Sequence, residues 1–292
     1  MVGRSSGKRS GRHGGISSAP GVDGRRKLGL QLFAWCTITS LGSGCALFVP
    51  PSLPRMDVLR VPGHCGGRPP TLVVLLPGAY SRPPEFVEAG FPQTLREAGI
   101  SADICIADSH VGYYSDRSIL RRLREEIVLP ARAQGYRQIW LVGISLGGFG
   151  ALGYAVRHGS EIAGVLAIAP YLGPRRLTQE IAAAGGARAW RAAGPGASAP
   201  GAGGAADELD REIWQAFTTP ENIAVAGRGP RPPVYLGYGQ ADRFADAHQR
   251  FAELLPASHV STAPGGHDWP AWRLLWSAWV ARGLLTAGCV SA

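Results

Sequence analysis

Short apolar segments alternate with longer amphipathic ones from residue 72 to the end of the chain. Five of the apolar segments have the length and composition of buried strands: TLVVLLPG, SADICIAD, QIWLVG, EIAGVLAIAP and PPVYLGYG. Continuous apolar strands are typical of a parallel sheet that is covered on both faces, and right-handed crossovers through helices connect such strands. The pattern therefore predicts the α/β class, with a doubly wound, mostly parallel sheet.

Two of the amphipathic segments give specific predictions about helices. SDRSILRRLREEIVLPARAQG is predicted to be one helix that begins at Ser115 or Asp116. DWPAWRLLWSAWVARGLL is predicted to be the closing helix, and its tryptophans recur at a spacing that makes one face aromatic. We expect this face to pack on the sheet. Its members are Trp269, Trp272, Trp276 and Trp279.

Residues 171–231 interrupt the alternation with a Gly/Ala-rich insertion. Its central stretch, AAAGGARAWRAAGPGASAPGAGGAADE, lies between two predicted helices. One interpretation is a surface insertion that the fold tolerates. The other is a cap over the carboxyl ends of the strands, with Trp190, Trp214 and Phe217 as its apolar wall.

The positive charge of the chain is concentrated near the amino terminus. The formal net charge is +9, and residues 1–27 carry six of these nine positive charges. A nucleic-acid-binding surface on the remainder of the chain is therefore not predicted. Arg25-Arg26-Lys27 precedes the uncharged apolar stretch LGLQLFAWCTITSLGSGCALFV, which is the pattern of an export signal.

The stretch LGSGC within this segment resembles a bacterial lipobox, in which lipid is attached to the cysteine, here Cys45. An uncleaved membrane anchor, ordinary cleavage near this point and a buried helix are the alternatives. We predict that residues 1–50 are a disordered basic tail plus a signal or lipoprotein segment, and that residues 51–292 form the α/β domain. The predicted location is the cell envelope, as an exported, membrane-anchored lipoprotein, or as a periplasmic protein if the signal is cleaved.

The sequence GISLG, residues 143–147, follows a predicted strand and precedes a predicted helix. This context fits the G-x-S-x-G nucleophile elbow, in which a serine occupies a sharp, strained turn. Gly143 and Gly147 remove side chains that would collide with the neighbouring strand and helix. The helix that follows also directs its positive end at Ser145, where a developing oxyanion is stabilised.

A candidate acid and a candidate base follow Ser145 in the chain order expected for this motif. Asp242 comes just after the strand VYLGYG, and His267 lies in a glycine-flanked loop after the last short strand. In this arrangement the acid orients the histidine, and the histidine takes the proton of the serine. Asp246 is the alternative acid, whereas Asp268 is better interpreted as the N-cap of the closing helix.

The remaining candidate residues have weaker signals. His110, Tyr113 and Tyr114 follow the ADICIA strand, so they either approach the site or pack in the core. Outside the export segment the cysteines are Cys65, Cys105 and Cys289. Their spacing does not match a zinc site, and neither a metal nor an organic cofactor is predicted. Cys105 is predicted to be a buried apolar residue, and a pairing of Cys65 with Cys289 is left open.

Over residues 72–285 the chain resembles the α/β-hydrolase family, and within it the esterase D-like branch. The motifs that carry the resemblance are GISLGG, GQADRF and GGHDWPAW. The resemblance implies an α/β-hydrolase fold with a cap insertion and an oxyanion hole formed by backbone N–H groups. By position these belong to Ala79 and Leu146, or to Tyr80 if the first loop is shifted by one residue. This loop carries Pro77-Gly78 where relatives often carry His-Gly.

The expected function is hydrolysis of carboxylic esters by a Ser-Asp-His triad through an acyl-enzyme, with a small-molecule or lipid ester as the substrate. An acyltransferase or a thioesterase would use the same triad. A different class of function, a non-catalytic envelope binding protein, would keep the scaffold without the reaction. The sequence makes no prediction of the oligomeric state.

Overall fold

Seven strands form one sheet within residues 49–64, 69–192, 206–218 and 231–285, which are the residues that the computed structural model describes. These residues belong to one compact unit, residues 47–292. The strands are β1 (Val58–Val61), β2 (Thr71–Leu76), β3 (Asp103–Ala107), β4 (Gln138–Ile144), β5 (Gly164–Ile168), β6 (Val234–Gly239) and β7 (Val260–Ala263). Their order in the sheet is β1-β3-β2-β4-β5-β6-β7.

All neighbouring strands are parallel except β1, which pairs with β3 in the antiparallel direction. The prediction of a doubly wound, mostly parallel sheet is therefore confirmed. The sequence reading missed β1, whose residues alternate between exposed and half-buried positions. Strand β1 lies at the edge of the sheet and so lacks the continuous apolar character of the central strands.

Helices cover both faces of the sheet. They are α1 (Pro83–Glu88), α2 (Phe91–Glu97), α3 (Val111–Ser115), α4 (Ile119–Arg122), α5 (Leu129–Ala133), α6 (Leu146–His158), α7 (Arg175–Ala183), α8 (Ala187–Ala192), α9 (Ala206–Phe217), α10 (Ala245–Ala252) and α11 (Trp269–Ala281). Successive strand residues point to opposite faces, so that Leu141 and Val142 of β4 belong to different cores. The first core contains residues of α3 to α10, and the second contains residues of α1, α2 and α11.

Helices α4 and α5 are joined by a π-helical turn, Leu123–Val128, into one continuous helical segment. The predicted helix is therefore present, but it begins at Ile119 rather than at Ser115 or Asp116. Pro130 in this segment cannot donate a backbone hydrogen bond, and its ring crowds the preceding turn. The wider π-helical turn accommodates the proline without ending the helix.

The aromatic face of α11 packs on the sheet as predicted. Trp272, Trp276 and Trp279 are buried in the second core, and Trp269 is half-buried against it. Cys105 is a free, buried cysteine, also as predicted. Its burial raises the pKa of its thiol to about 11, so Cys105 remains protonated and unreactive at neutral pH.

The described parts of the insertion, α7 to α9, pack on the first core. Trp190, Trp214 and Phe217, which form the apolar wall in the interpretation of the insertion as a cap, are each buried in that core. The indole N–H of Trp214 donates to the carbonyl oxygen of Leu172 at 2.8 Å, and the Phe217 ring lies 4.8 Å from the ring of Phe251 in α10. These aromatic residues attach the insertion to the domain.

Several predictions fall on residues outside the described part of the chain. They concern the tail and export segment, Cys45, Cys65, Cys289 and the centre of the insertion, residues 193–205 and 219–230. In the part that is described, no helix has the length and apolar character needed to cross a membrane.

Candidate active site

Ser145 lies at the sharp junction between β4 and α6. Its φ is 53° and its ψ is −113°, a combination that L-residues rarely adopt. Such a conformation costs about 1–3 kcal/mol and is retained only where the surrounding structure enforces it. Because α6 begins at the next residue, Ser145 lies at the positive end of the helix dipole.

Two glycines make this junction possible. A Cβ atom at Gly143 would collide with the carbonyl oxygen of Gly147, and a Cβ atom at Gly147 would collide with the carbonyl oxygen of Leu76 at the end of β2. Strand β4 is the neighbour of β2, so any side chain at Gly147 would push α6 away from the sheet. The steric role predicted for these glycines is therefore confirmed.

The end of β5 and the segment that follows it bind the backbone N–H and carbonyl groups of Ser145. The Ser145 N–H donates to the carbonyl oxygen of Ile168 at 2.9 Å, and the Tyr171 N–H donates to the carbonyl oxygen of Ser145, also at 2.9 Å. Between them Ala169 has a φ of 45°, and its N–H donates to the carbonyl oxygen of Gly237 in β6 at 2.6 Å. The strained serine is thus fixed directly to β5 and, through Ala169, to β6.

His248 supports the same segment and was missed at the level of sequence. It is completely buried, and its Nε2 lies 2.9 Å from the carbonyl oxygen of Pro170. Because a carbonyl can only accept, Nε2 carries the proton and donates it. Burial lowers the pKa of His248, so the ring is neutral. His248 lies four residues after Phe244 and three before Phe251, at a position on the inner face of α10 where an apolar residue is expected. A polar residue at a helix position that the spacing predicts to be buried is the signal in the sequence that could have identified it.

Asp242 and His267 are hydrogen-bonded to each other. The Oδ2 atom of Asp242 lies 2.8 Å from Nδ1 of His267, and its Oδ1 atom accepts the N–H of Phe244 at 2.8 Å. The Asp242 side chain is fully buried, whereas the His267 side chain is 10% exposed. An ionised carboxylate only accepts, so Nδ1 of His267 carries a proton and Nε2 is left as the acceptor.

Two opposing effects act on the pKa of Asp242. Burial raises it, but the hydrogen bonds from His267 and from the Phe244 amide lower it, and the net result is a pKa below the ordinary value. Asp242 is therefore ionised at neutral pH, which is the state that can orient an imidazole.

The lowered pKa of Asp242 has a measurable effect on stability. A carboxyl group whose pKa is lower in the folded state stabilises the fold above its unfolded pKa of about 3.9 and loses this contribution as the pH falls through the folded value. We expect the difference in unfolding free energy between the wild type and Asp242→Asn to be constant at neutral pH and to shrink below about pH 4. Denaturant unfolding of both proteins over a pH series measures it. A difference that does not change with pH would contradict the lowered pKa.

The loop that carries His267 lies against the end of β6. The N–H of Ala241 donates to the carbonyl oxygen of Gly265 at 2.9 Å, and the N–H of Gln240 donates to that of Ala263 at 2.8 Å. A Cβ atom at Gly239 would collide with the backbone of this loop. The glycine at the end of β6 therefore allows the loops of Asp242 and His267 to approach closely.

Ser145, Asp242 and His267 follow β4, β6 and β7, so all three lie at the carboxyl edge of the sheet. Among the described residues the structure brings Asp242 and His267 into contact, while Ser145 and His267 make no hydrogen bond to each other. Catalytic hydrogen bonds are often long before substrate binds.

The two other acids considered for this role lie elsewhere. Asp246 is largely exposed and pairs with Arg250 one turn along α10, at 3.0 Å. Asp268 is the N-cap of α11, as predicted, since its side chain accepts the N–H of Ala271. Neither carboxylate makes the hydrogen bond to His267 that Asp242 makes.

The first strand-end loop approaches the elbow. A Cβ atom at Gly78 would lie 3.4 Å from Cβ of Ser145, and residues 78–81 form a turn closed by the Ser81 N–H and the Gly78 carbonyl oxygen at 3.2 Å. Ala79 is half-buried in this turn, whereas the side chain of Tyr80 is 87% exposed. Leu146 is the first residue of α6, a position whose N–H has no partner within the helix.

A cavity of about 390 Å³ opens beside the elbow, on the first-core side of the sheet. Most of the described residues that line it are apolar or aromatic, among them Tyr114, Leu120, Leu146, Phe149, Tyr171 and Leu209. Of the three candidates after β3, only Tyr114 lines it. His110 caps α3 by accepting the N–H of Gly112, and Tyr113 is buried in the core.

The described residues contain no cluster of His, Cys, Asp and Glu that could hold a metal ion. The polar side chains at the carboxyl edge, Ser145, His267 and Asp242, are of the residue types that nucleophilic acyl chemistry uses. A serine in a strained turn, a histidine oriented by a buried carboxylate and two backbone amides can form and break an acyl bond without a cofactor.

The comparisons with known proteins agree with this fold. The model of the esterase family, described as "Putative esterase", matches residues 123–281. A search of curated protein sequences found no match. The fold resembles that of FphF, a fluorophosphonate-binding serine hydrolase of Staphylococcus aureus, with a TM-score of 0.51 and 12% identity over 78% of this chain and 98% of that one.

The chain is also similar in fold to Est1E of Butyrivibrio proteoclasticus, whose structure contains ferulic acid, with a TM-score of 0.50 and 12% identity over 79% of this chain and 96% of that one. At such identities the solved structures establish the fold alone. The match to the family model, in contrast, covers more than half of the chain. The protein therefore belongs to the esterase family, has the α/β-hydrolase fold and is a carboxylic ester hydrolase.

Proposed function

We propose that Ser145, His267 and Asp242 act as a catalytic triad that hydrolyses carboxylic esters through an acyl-enzyme. The observation that carries the proposal is the hydrogen bond of 2.8 Å between His267 and the buried, ionised Asp242, at the sheet edge where Ser145 is held in a strained turn. Each group has the environment that its role requires.

In the first half of the reaction, Oγ of Ser145 attacks the carbonyl carbon of the ester, and Nε2 of His267 accepts the serine proton. The carbonyl oxygen becomes an oxyanion, which the N–H groups of Ala79 and Leu146 bind. Backbone donors at the start of a helix are suited to this task because they need no reorganisation as the charge develops. His267 then donates its proton to the leaving alcohol, and the acyl-enzyme remains.

In the second half, His267 accepts a proton from water, and the resulting hydroxide attacks the acyl carbon. Collapse of the second tetrahedral intermediate returns the proton to Oγ of Ser145 and releases the carboxylic acid. Asp242 stays ionised throughout and stabilises the imidazolium that forms twice per cycle. The sum of the steps is one ester and one water converted to one acid and one alcohol.

The test is covalent labelling with a fluorophosphonate, which phosphonylates an activated serine. We expect wild-type protein to gain one phosphonyl group on Ser145 and Ser145→Ala to gain none. Turnover of the acyl-enzyme with added alcohols or thiols then measures transfer relative to hydrolysis. A wild type that remains unlabelled while it hydrolyses esters would exclude the serine mechanism.

For the amino-terminal region we propose export and lipid attachment at Cys45. The support is the sequence: a basic segment, an uncharged apolar stretch and a cysteine preceded by small residues. In a host that lipidates proteins, we expect the wild type to fractionate with membranes and Cys45→Ala to lose the mass of the lipid. Intact mass measurement decides the point, because a lipid that persists in Cys45→Ala would refute this assignment.

A further inference from the structure

The cavity beside the elbow extends along one side of α6. Its lining includes Leu146, at the first residue of α6, and Arg157, near the last. Eleven residues of α-helix span about 17 Å, so the cavity is elongated and leads away from the nucleophile. Its other walls come from α4 and from α9, and Leu209 of α9 reaches α6 at Gly153, where a Cβ atom would lie 3.1 Å from Cδ2 of Leu209.

We propose that this cavity binds the acyl chain of the substrate, and that this chain is an unbranched aliphatic one of medium length. The inference rests on the proposed function and adds the substrate class to it. Part of the wall is built by α9, which belongs to the Gly/Ala-rich insertion.

The cavity is continuous with the site of the reaction. Leu146 contributes its side chain to the cavity wall and its N–H to the proposed oxyanion hole. Phe149, one turn later in α6, continues the apolar wall. A carbonyl group that is bound by the Leu146 amide therefore has its substituents at the entrance of the cavity.

The position of His267 decides which side of the ester enters. The imidazole packs edge-to-face against Trp272, which belongs to the second core, whereas Leu146 and Phe149 pack with the first core on the opposite face of the sheet. The leaving oxygen must lie next to His267 to receive its proton. With the oxyanion directed at the backbone amides, the acyl chain is the substituent of the carbonyl carbon that points towards the cavity.

The chemistry of the lining selects the chain. Near Ser145 the wall is aromatic and aliphatic, with Tyr114, Phe149 and Tyr171 around the entrance. Arg157 lies near the last residue of α6, at the end of the cavity remote from the reaction, and the other charged residues of the described lining are Arg117, Glu208 and Asp210. An aliphatic chain gains affinity while it covers the apolar part and gains nothing once it reaches the charged groups, so an intermediate chain length is favoured.

The experiment is a series of para-nitrophenyl esters with acetyl, butyryl, hexanoyl, octanoyl and dodecanoyl groups. We expect kcat/KM to rise by up to about fourfold per added methylene, the ratio that full burial of a CH2 group supports, and to level off beyond octanoyl. A second series keeps the acetyl group and lengthens the alcohol. If kcat/KM rises with the alcohol rather than with the acyl chain, the assignment is overturned.

Leu209→Trp fills the cavity from α9 and is expected to lower the octanoyl-to-acetyl ratio of kcat/KM by about tenfold or more, the equivalent of two buried methylenes. Gln215→Trp is the matched control, since Gln215 is exposed on the same helix and its replacement should leave the ratio unchanged. Val111→Trp, on another wall of the cavity, repeats the test if Leu209→Trp does not fold.

Failure of this inference can be distinguished from failure of the proposed function. Suppose that hydrolysis of the acetyl ester depends on Ser145, but that the octanoyl-to-acetyl ratio of kcat/KM is near one or does not change in the folded cavity variants. The cavity then does not bind the acyl chain, whereas the proposed mechanism stands. If Ser145→Ala hydrolyses the acetyl ester as the wild type does, the mechanism is wrong.

Discussion

Replacement of Ser145 by alanine is expected to lower kcat/KM for ester hydrolysis by at least about 10⁴-fold, because the reaction loses the group that forms the acyl bond. The residual rate would come from binding and from the oxyanion donors, which the substitution leaves in place. Steady-state hydrolysis of an activated acetyl ester, with correction for the uncatalysed rate, measures the effect.

Ser160→Ala is the matched control for this substitution. Ser160 is the exposed middle residue of the short helical turn Gly159–Glu161, so its replacement should leave kcat/KM within about twofold of the wild type. Thermal unfolding of both variants shows whether the fold is retained. A Ser145→Ala protein that is folded and loses less than about tenfold in kcat/KM would place the nucleophile elsewhere.

Replacement of Asp242 by asparagine is expected to lower kcat by about 10³- to 10⁴-fold. The amide of asparagine can donate to Nδ1 of His267, which then favours the tautomer with its proton on Nε2. In that tautomer the imidazole can no longer accept the proton of Ser145. Thermal unfolding distinguishes this cause from a loss of folding, because the wrong tautomer lowers kcat in a protein that remains folded.

Asp246→Asn provides the comparison for Asp242→Asn. Asp246 lies four residues away on the exposed side of α10 and is paired with Arg250, so its replacement should leave kcat essentially unchanged. Equal losses in the two variants would show that the acid of the triad has been misassigned. A large loss of kcat in Asp246→Asn alone would identify Asp246 as the acid of the triad.

The core of the fold was predictable because the central strands are continuous apolar segments. Strand β1 was not, since an edge strand buries only part of its surface and has no comparable pattern. The beginning of the long helix was also misplaced, because Ser115 closes the separate helix α3 and Asp116 follows it. The N-cap of the long helical segment is Ser118, three residues after Ser115.

The positions of Ser145, Asp242 and His267 could be predicted because each follows a strand, and parallel strands bring their carboxyl ends to one edge. His248 and the cavity could not be predicted in this way. The role of His248 depends on a contact with Pro170, 78 residues earlier in the chain, and the cavity depends on how α9 packs on α6. Such side-chain contacts between distant segments leave little local pattern in the sequence.

The hydrogen bonds around Ser145 have a consequence for heat inactivation. Its N–H is bound by the last residue of β5 and its carbonyl group by the segment after β5, and that segment is bound in turn by β6 and by His248 of α10. The serine cannot be displaced by the opening of a single loop, because β5 and β6 would have to separate with it. Elements tied into a central sheet open only with the whole domain. Heating should therefore displace Ser145 only at the melting temperature of the domain, with no earlier step that removes the nucleophile from a folded enzyme.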